Sequence, residues 1–230
     1  MLPLDTPIWT ALTTKQAQHA HSSSLARRFP PEMTLLGALA ANTAMAFDSL
    51  AQLIQRDTVT LYFTSPPQIP AGWEIVRAVE LHQMVQETDP SRPAERDATP
   101  EVIELTSADV PEMSALYTAT RPGRTLCPKI QKLGQFLGVR EDGKLVAMGG
   151  LRLHPPGYRE ITTVATMPGH EGRGCATAIV LALMARIHAA GNKPFLTVRT
   201  DNTRAVDIYR RLGFKERTKL YSQTIRRAQP

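Results

Sequence analysis

Cysteine is scarce in this sequence, which has only Cys127 and Cys175 among its 230 residues. Two cysteines are too few for the disulfide framework of a small secreted domain, and no Cys/His cluster has the spacing of a zinc site. His19 and His21 stand close together, but no third ligand lies near them in the sequence. We therefore predict free thiols and no bound metal.

Long apolar runs are also missing. No hydrophobic stretch approaches the ~20 residues that a membrane-spanning helix needs. The first residues, MLPLD, lack the basic and apolar regions of a secretory signal peptide. The composition, 42% hydrophobic and 21% charged, is ordinary for a water-soluble globular protein. We expect a cytoplasmic protein with no membrane partner.

Acidic residues become a minority in the second half of the chain. Residues 1–97 contain 7 Lys and Arg against 10 Asp and Glu, whereas residues 98–230 contain 20 against 11. The formal charge thus changes from −3 to +9 between the two halves. This excess predicts an anionic partner for the second half. Because the basic residues are dispersed and no nucleic-acid motif accompanies them, we favour a polyanionic small molecule over DNA or RNA.

A proline-rich segment marks the position where the charge changes. Residues 88–100 read TDPSRPAERDATP, a composition typical of a linker. We therefore predict two domains, residues 1–97 and residues 98–230. In the first, a helical pattern over residues 35–55 precedes a strand-like segment at 58–63. Nothing in this half assembles a nucleophile, a base and an orienting group.

The second half has a regular order of predicted strands and helices. A strand and a capped helix are followed by three strands, of which the first two flank the tight-turn pair Asp142-Gly143. A long helix capped by Gly191 comes next. The strands are predicted at 102–105, 136–140, 145–153, 160–166, 195–200 and 220–225, and the last two helices at 176–190 and 203–212. This order predicts an α/β (α+β) domain with an antiparallel meander.

A glycine-rich loop, PGHEGRGCA at residues 168–176, precedes the long helix. Its small residues let backbone N–H groups converge at the helix N-terminus, an arrangement that binds phosphate. The loop lacks the ending of a Walker A loop, and Thr177 stands where a dinucleotide fingerprint has its third glycine. A turn that only reverses the chain is the alternative interpretation.

A second motif, DNTRAVDIYRRLGF at residues 201–214, follows the loop. Together the two motifs resemble those of the GNAT superfamily of N-acetyltransferases. In that family a (Q/R)xxGx(G/A) loop binds the pyrophosphate of acyl-coenzyme A, and a later helix carries NxxAxxxYxxxGF. Gly169 replaces the usual Gln or Arg, so His170 or Arg173 would have to make any side-chain contact at this position.

Further segments resemble one subfamily of that superfamily. Residues 138–140, 145–150, 158–168 and 194–198 are similar to the C-terminal domain of glycine N-acyltransferase. The first half is similar to the N-terminal region of the same subfamily, in residues 7–12, 26–31 and 83–85. The resemblance implies a GNAT fold, with a mixed and mostly antiparallel sheet flanked by helices. It also implies that the first half is a degenerate acetyltransferase-like copy in tandem.

The resemblance implies a set of residues that bind acetyl-CoA. Backbone groups of Val164, Ala165 and Thr166 would contact the pantetheine, as would Asn202. The residues around the pyrophosphate would be Gly172, Arg173, Gly174, Cys175, Ala176 and Thr177. We interpret the Cys175 thiol as a small packing group rather than a nucleophile, because no histidine base is fixed beside it.

Tyr209 is our candidate for the general acid. Acyl transfer to an amine needs a neutral amine, a stabilised oxyanion and protonation of the departing thiolate. A phenol of pKa about 10 is protonated at neutral pH and can donate to a thiolate, whose conjugate acid has a pKa of about 8.5. Simple packing is the alternative, because Ala205, Ile208 and Leu212 form an apolar helical stripe with Tyr209.

The general base is less well defined. Many relatives have a carboxylate five residues before the asparagine, but Thr197 stands there. Glu160, at the start of the third strand, is our candidate, acting directly or through water. A solvated carboxylate is the alternative for Glu160, and the ionisation equilibrium of the substrate amine is a second source of the neutral nucleophile.

We therefore expect an N-acyltransferase that moves acetyl from acetyl-CoA to a primary amine by direct attack in a ternary complex. A catalytically silent acyl-CoA sensor is the alternative from the binding class. The sequence does not specify the amine. The candidate specificity elements are residues 121–128 and the hairpin near residues 154–158.

Overall fold

The computed structural model describes residues 2–54, 57–87 and 100–228. The first part of the chain contains helices α1 (Pro7–Thr13) and α2 (Ala44–Ala51) and strands β1 (His21–Ser22), β2 (Ala26–Arg28), β3 (Gly37–Leu39), β4 (Val59–Phe63) and β5 (Trp73–Val85). The second part contains strands β6 (Ile103–Leu105), β7 (Phe136–Glu141), β8 (Lys144–Leu151), β9 (Tyr158–Thr166), β10 (Lys193–Arg199) and β11 (Lys215–Arg227). Its helices are α3 (Val110–Thr120), α4 (Cys175–Ala189) and α5 (Thr203–Arg211).

Eight of the strands form one sheet in the order β4-β11-β5-β10-β9-β8-β7-β6. Every neighbouring pair is antiparallel except β9 and β10, which run parallel and are connected through α4. A smaller sheet contains β1, β2 and β3. The mixed, mostly antiparallel sheet flanked by helices confirms the fold that the sequence predicts.

Strand β5 connects the two parts of the chain within this sheet. Its residue Leu81 pairs with Arg199 of β10 on one side and with Leu220 of β11 on the other. The first part therefore supplies an interior strand to the sheet of the second. Nearly all of the predicted linker, and the boundary between residues 97 and 98, lie outside the described residues. The two-domain division stays a prediction.

Helix α4 packs against the centre of the sheet. Ile179, Leu183 and Ile187 on its inner side are buried among residues of β7, β8, β9 and β10. Gly149 of β8 lets the helix approach closely, because a Cβ atom there would lie 2.9 Å from the Ile179 side chain. Gly191, with φ 71°, ends the helix as predicted. None of the helices within the described ranges is long and apolar enough to cross a membrane.

The predicted helix over residues 35–55 is too long at both ends, because α2 covers only Ala44–Ala51. Residues 37–39 form β3 instead, and α2 begins only at Ala44, after Thr43. The Thr43 hydroxyl caps this helix by accepting from the Ala46 N–H at 3.3 Å. Gly37 allows β3 to pack closely against β4, since a Cβ atom there would lie 2.6 Å from Val59. Tertiary packing thus outweighs the helical spacing of Leu36 and Leu39.

Candidate active site

Strands β9 and β10 separate to form a wedge in the middle of the sheet. Their parallel pairing runs from Tyr158 opposite Lys193 to Ile161 opposite Leu196 and ends there. The register between β8 and β9 shifts just beyond this point, and Thr163 has φ 57°. A β-branched residue adopts this left-handed conformation only when its surroundings impose it, and such residues cluster at functional sites. Beyond Ile161, strand β9 is therefore no longer paired with β10.

A cleft of about 420 Å³ opens beside the wedge, between the N-termini of α4 and α5. Its walls contain nine of the ten residues that the sequence assigns to acetyl-CoA binding. These are Val164, Ala165, Thr166, Gly172, Gly174, Cys175, Ala176, Thr177 and Asn202. The tenth, Arg173, does not line the cleft. The fold thus brings the two sequence motifs to one cavity, while the role of each residue stays a prediction.

The N-terminus of α4 offers several backbone donors to this cleft. Gly172 and Gly174 adopt φ values of 81° and 83°, which only glycine reaches without strain. The Ala178 N–H is the first to donate within the helix, to the Gly174 carbonyl at 2.9 Å. The N–H groups of Gly174, Ala176 and Thr177 have no acceptor within the part of the chain that the structure describes. Together with the helix dipole they form a site for an anion.

Contacts with Glu141 hold the outer side of the glycine-rich loop. Glu141 of β7 accepts from His170 Nδ1 at 2.8 Å and from Arg173 Nη1 at 2.6 Å. Arg173 is therefore directed towards Glu141, whereas His170 also lines the cleft. Two cleft residues that the sequence analysis missed, Arg204 and Arg211, supply further positive charge. Their only signal in the sequence is the basic excess of the second half.

Asn202 has a structural role at the start of α5. Its side-chain oxygen accepts from the Ala205 N–H at 3.2 Å and caps the helix. The same residue lines the cleft on one side of the wedge and a second cavity on the other. Asn202 therefore caps the start of α5 and also forms part of the wall of each cavity.

Tyr209 lies where the cleft and the second cavity meet, because it lines both of them. Its ring packs edge-on against Phe214, with 5.9 Å between ring centroids. Burial raises the pKa of Tyr209 to about 12, against the opposing effect of the Arg121 guanidinium. The phenol is therefore protonated at physiological pH. The Tyr209 ring thus packs against Phe214 and lines both cavities, so the packing interpretation and the proposed acid role are compatible.

The second cavity, of about 310 Å³, lies across the wedge from the cleft. Five arginines line it, and no Asp or Glu occurs among its described lining residues. They are Arg77, Arg121, Arg124, Arg152 and Arg199. Residues 121–127 of the first predicted specificity segment lie in or beside its wall. The hairpin near residues 154–158 does not line it, and Tyr158 packs against Phe195 instead.

Glu160 lies behind Arg152 and lines neither cavity. Its side chain is 0% exposed, and its two oxygens accept from Arg152 Nη2 at 2.8 Å and Nε at 2.9 Å. The Leu153 N–H and the Thr197 hydroxyl add donors at 3.3 and 3.4 Å. Since these groups occupy both oxygens, the contacts favour positioning of Arg152. The assignment of Glu160 as general base stays a prediction.

Replacing Glu160 with Gln separates these two roles. The change leaves the Arg152 guanidinium buried without its counter-ion, so we expect the free energy of unfolding to fall by about 3 kcal/mol. Urea denaturation followed by circular dichroism measures this effect. The matched control is Glu104→Gln, because Glu104 is 58% exposed and 3.8 Å from Arg186; its effect should stay within ~0.5 kcal/mol. Unchanged stability with a large loss of kcat would instead support the base role.

The two thiols occupy different cavities. Cys175 is 2% exposed and belongs to the core around α4, and burial raises the pKa of its thiol. Cys127 lines the second cavity, and burial raises its thiol pKa as well. A thiol of raised pKa carries little thiolate at neutral pH, so neither group has the character of an activated nucleophile.

Comparison with known proteins places these features in one family. Residues 136–222 match the family model described as FR47-like protein. The fold matches the crystal structure of a GNAT-family acetyltransferase from Novosphingobium aromaticivorans DSM 12444, with a TM-score of 0.88, 33% identity and full coverage of both chains. The chain therefore belongs to the GNAT family of acetyltransferases.

Curated relatives match shorter parts of the chain. N-alpha-acetyltransferase RimI of Mycobacterium tuberculosis is 36% identical over 83 residues, 35% of this chain and 51% of the relative. A mycothiol acetyltransferase of Streptomyces avermitilis is 31% identical over 106 residues, 45% of this chain and 34% of the relative. The chain thus spans about half or less of these relatives. A GCN5-related N-acetyltransferase from Kribbella flavida shares the fold at a TM-score of 0.60 and 15% identity over 95% of each chain.

Proposed function

We propose that this protein transfers acetyl from acetyl-CoA to a primary amine by direct attack in a ternary complex. The observation that carries the proposal is the meeting of two cavities at Tyr209. One contains the N–H groups at the N-terminus of α4 that have no acceptor among the described residues, and the other lies across the wedge and is large enough for a small amine. Donor and acceptor can thus approach one another from opposite sides of the wedge.

On the donor side, the N-terminus of α4 would bind the pyrophosphate, with Arg204 and Arg211 adding charge. The pantetheine would follow the unpaired end of β9. The Val164 carbonyl already accepts from Arg121 Nη2 at 3.0 Å, so the pantetheine amides would use other backbone groups of this strand. The thioester would then lie near Tyr209, at the junction with the second cavity, which would hold the acceptor amine.

The reaction needs no covalent enzyme intermediate. The amine lone pair attacks the thioester carbonyl, a C–N bond forms, and the tetrahedral intermediate collapses with cleavage of the C–S bond. Tyr209 donates its proton to the departing sulfur, and the nitrogen loses its extra proton to solvent. The neutral amine comes from the ionisation equilibrium of the substrate amine, because no Asp or Glu occurs among the described residues that line the second cavity.

The proposal is tested by mixing the purified chain with acetyl-CoA and a panel of primary amines. Thiol release and an acetylated amine detected by mass spectrometry are the expected results. Initial-velocity plots should intersect, as for a ternary complex, and Cys175→Ser should retain turnover. Binding of CoA with no turnover of any amine would support the sensor alternative. Parallel plots would instead indicate a covalent intermediate.

We also propose that the first part of the chain is a degenerate copy of the second. The order β2-β3-α2-β4 repeats the order β8-β9-α4-β10, and a parallel bridge between Leu36 and Thr60 joins the two strands around α2. This tandem arrangement is the one implied by the resemblance to the glycine N-acyltransferase subfamily. A cleft of about 310 Å³ lies beside β3 and β4.

This first-part cleft lacks the phosphate site of its counterpart. The loop before α2, Ala40 to Thr43, contains no glycine, and Thr43 caps the helix with its own hydroxyl. The N–H that would face a phosphate is therefore already used. Isothermal titration should give one CoA site per chain, and a stoichiometry of two would contradict this assignment.

A further inference from the structure

Three guanidinium groups in the second cavity have no carboxylate partner among the residues described. Arg152 is paired with Glu160, and Arg199 donates to Asp201 at 2.8 Å. Arg77, Arg121 and Arg124 form no ion pair with any described Asp or Glu. The cavity thus holds uncompensated positive charge.

The surroundings of Arg77 and Arg121 oppose their charge. Burial is the main cause that lowers the pKa of Arg77, and Arg124 and Arg199 lower it further. Burial likewise lowers the pKa of Arg121, which is also repelled by Arg124. Gathering like charges in a partly desolvated cavity costs free energy that an anion would offset. The cluster is therefore an electrostatic site complementary to an anion.

Arg121 is held in place within this cluster. Its Nη2 donates to the Val164 carbonyl at 3.0 Å, its Nη1 donates to the Thr120 hydroxyl at 3.1 Å, and it stacks on Tyr117 at 4.8 Å. These contacts fix Arg121 beside the wedge. Arg77 and Arg124 have no such side-chain contacts in the described structure, so their donors are available to a ligand. Hydroxyl groups in the same wall include those of Tyr62, Thr60, Ser222 and Thr224.

We propose that the acceptor is a primary amine that also carries an oxyanion, either a carboxylate or a phosphate. Arg77 and Arg124 bind the oxyanion, and the amine is thereby directed towards the wedge and Tyr209. Guanidinium groups suit this task because their donors match the paired oxygens of both anions. The inference rests on the proposed acetyl transfer and names the class of its acceptor. A polycationic amine would be repelled by the same cavity.

The test uses two matched pairs of amines on the full chain saturated with CoA. L-alanine and L-alaninamide differ in a carboxylate, and O-phosphoethanolamine and ethanolamine differ in a phosphate. Isothermal titration measures their affinities, and thiol release from acetyl-CoA measures their turnover. We expect the anionic member of at least one pair to bind at least ~10-fold more tightly than its neutral partner. The pair that responds shows which anion is recognised.

Substitution of Arg124 supplies the second part of the test. Arg124 is exposed, so Arg124→Gln should fold normally, and thermal denaturation checks this. The substitution should lower the affinity for the preferred anionic amine by about 10-fold and leave the affinity for its neutral partner unchanged. Arg186→Gln is the matched control, because it removes the same charge from an exposed position that lines neither cavity.

The possible failures are distinguishable. Equal affinity within both pairs, or no binding of either anionic amine to a chain that binds CoA, would overturn the oxyanion inference and leave the proposed acetyl transfer standing. An equal loss of affinity for both members of the pair in Arg124→Gln would overturn the oxyanion inference as well. Failure of the wild-type chain to bind CoA would count against the proposed function itself.

Discussion

Tyr209→Phe should lower kcat by about 10²-fold or more while leaving the affinity for acetyl-CoA nearly unchanged. The substitution removes only the hydroxyl, so the ring contact with Phe214 and the fold are retained. Loss of the proton donor affects the departing thiolate, which exists only in the transition state and the product. Steady-state kinetics with acetyl-CoA, together with titration of CoA binding, separate the two quantities.

The control for this experiment is Tyr158→Phe. Tyr158 lies in the same sheet and also packs its ring against a phenylalanine, but it lines neither cavity. Its substitution should leave kcat unchanged. Because the pKa of Tyr209 is raised to about 12, the wild-type rate should fall through loss of this proton only as the pH approaches that value. An unchanged kcat in Tyr209→Phe would remove Tyr209 from the role of acid.

Gly174→Asp should raise the Kd for CoA at least ~100-fold, equivalent to about 3 kcal/mol. The new carboxylate would stand at the N-terminus of α4, among the N–H groups that we assign to the pyrophosphate. It would repel the phosphates and compete for the same donors. Isothermal titration or a CoA-dependent shift in Tm measures the loss.

Gly191→Asp is the matched control for this variant. Gly191 has φ 71° and Gly174 has φ 83°, so both substitutions force aspartate into the left-handed region and add one carboxylate. Each should cost roughly 1–3 kcal/mol of stability. Only Gly174 lies at the N-terminus of α4, where we assign the pyrophosphate, so only Gly174→Asp should weaken CoA binding. Equal CoA affinity in the two variants would contradict the assigned site.

The sequence predicted the second part of the fold well because its elements are defined locally. Asp142-Gly143 forms the expected turn, with φ values of 49° and 77°, and the glycine-rich loop leads into α4 as predicted. The position of β5 was not predictable in the same way. Residues 74–80 of this strand are exposed or half-buried, and only its pairing with β10 and β11 defines it as an interior strand.

The two halves of the candidate site were predictable to different degrees. The cleft beside the wedge is formed largely by two contiguous motifs, so nine of its lining residues could be listed from the sequence. The second cavity brings together Arg77, Arg121 and Arg199 from three distant segments, and no local pattern indicates that they meet. Glu160 was assigned by its place near a strand end. Its pairing with Arg152 depends on how β9 packs, which the sequence does not show.

The interior position of β5 limits how this enzyme can be divided. A fragment beginning at residue 98 would retain both sequence motifs but would leave the facing edges of β10 and β11 without their shared neighbour, β5. Two unpaired strand edges invite pairing with other chains. Such a fragment should aggregate on expression, although it would contain every residue that lines the cleft beside the wedge. The first part of the chain therefore acts as an intramolecular partner, and recombination that exchanged the motif-bearing part alone would produce an insoluble protein.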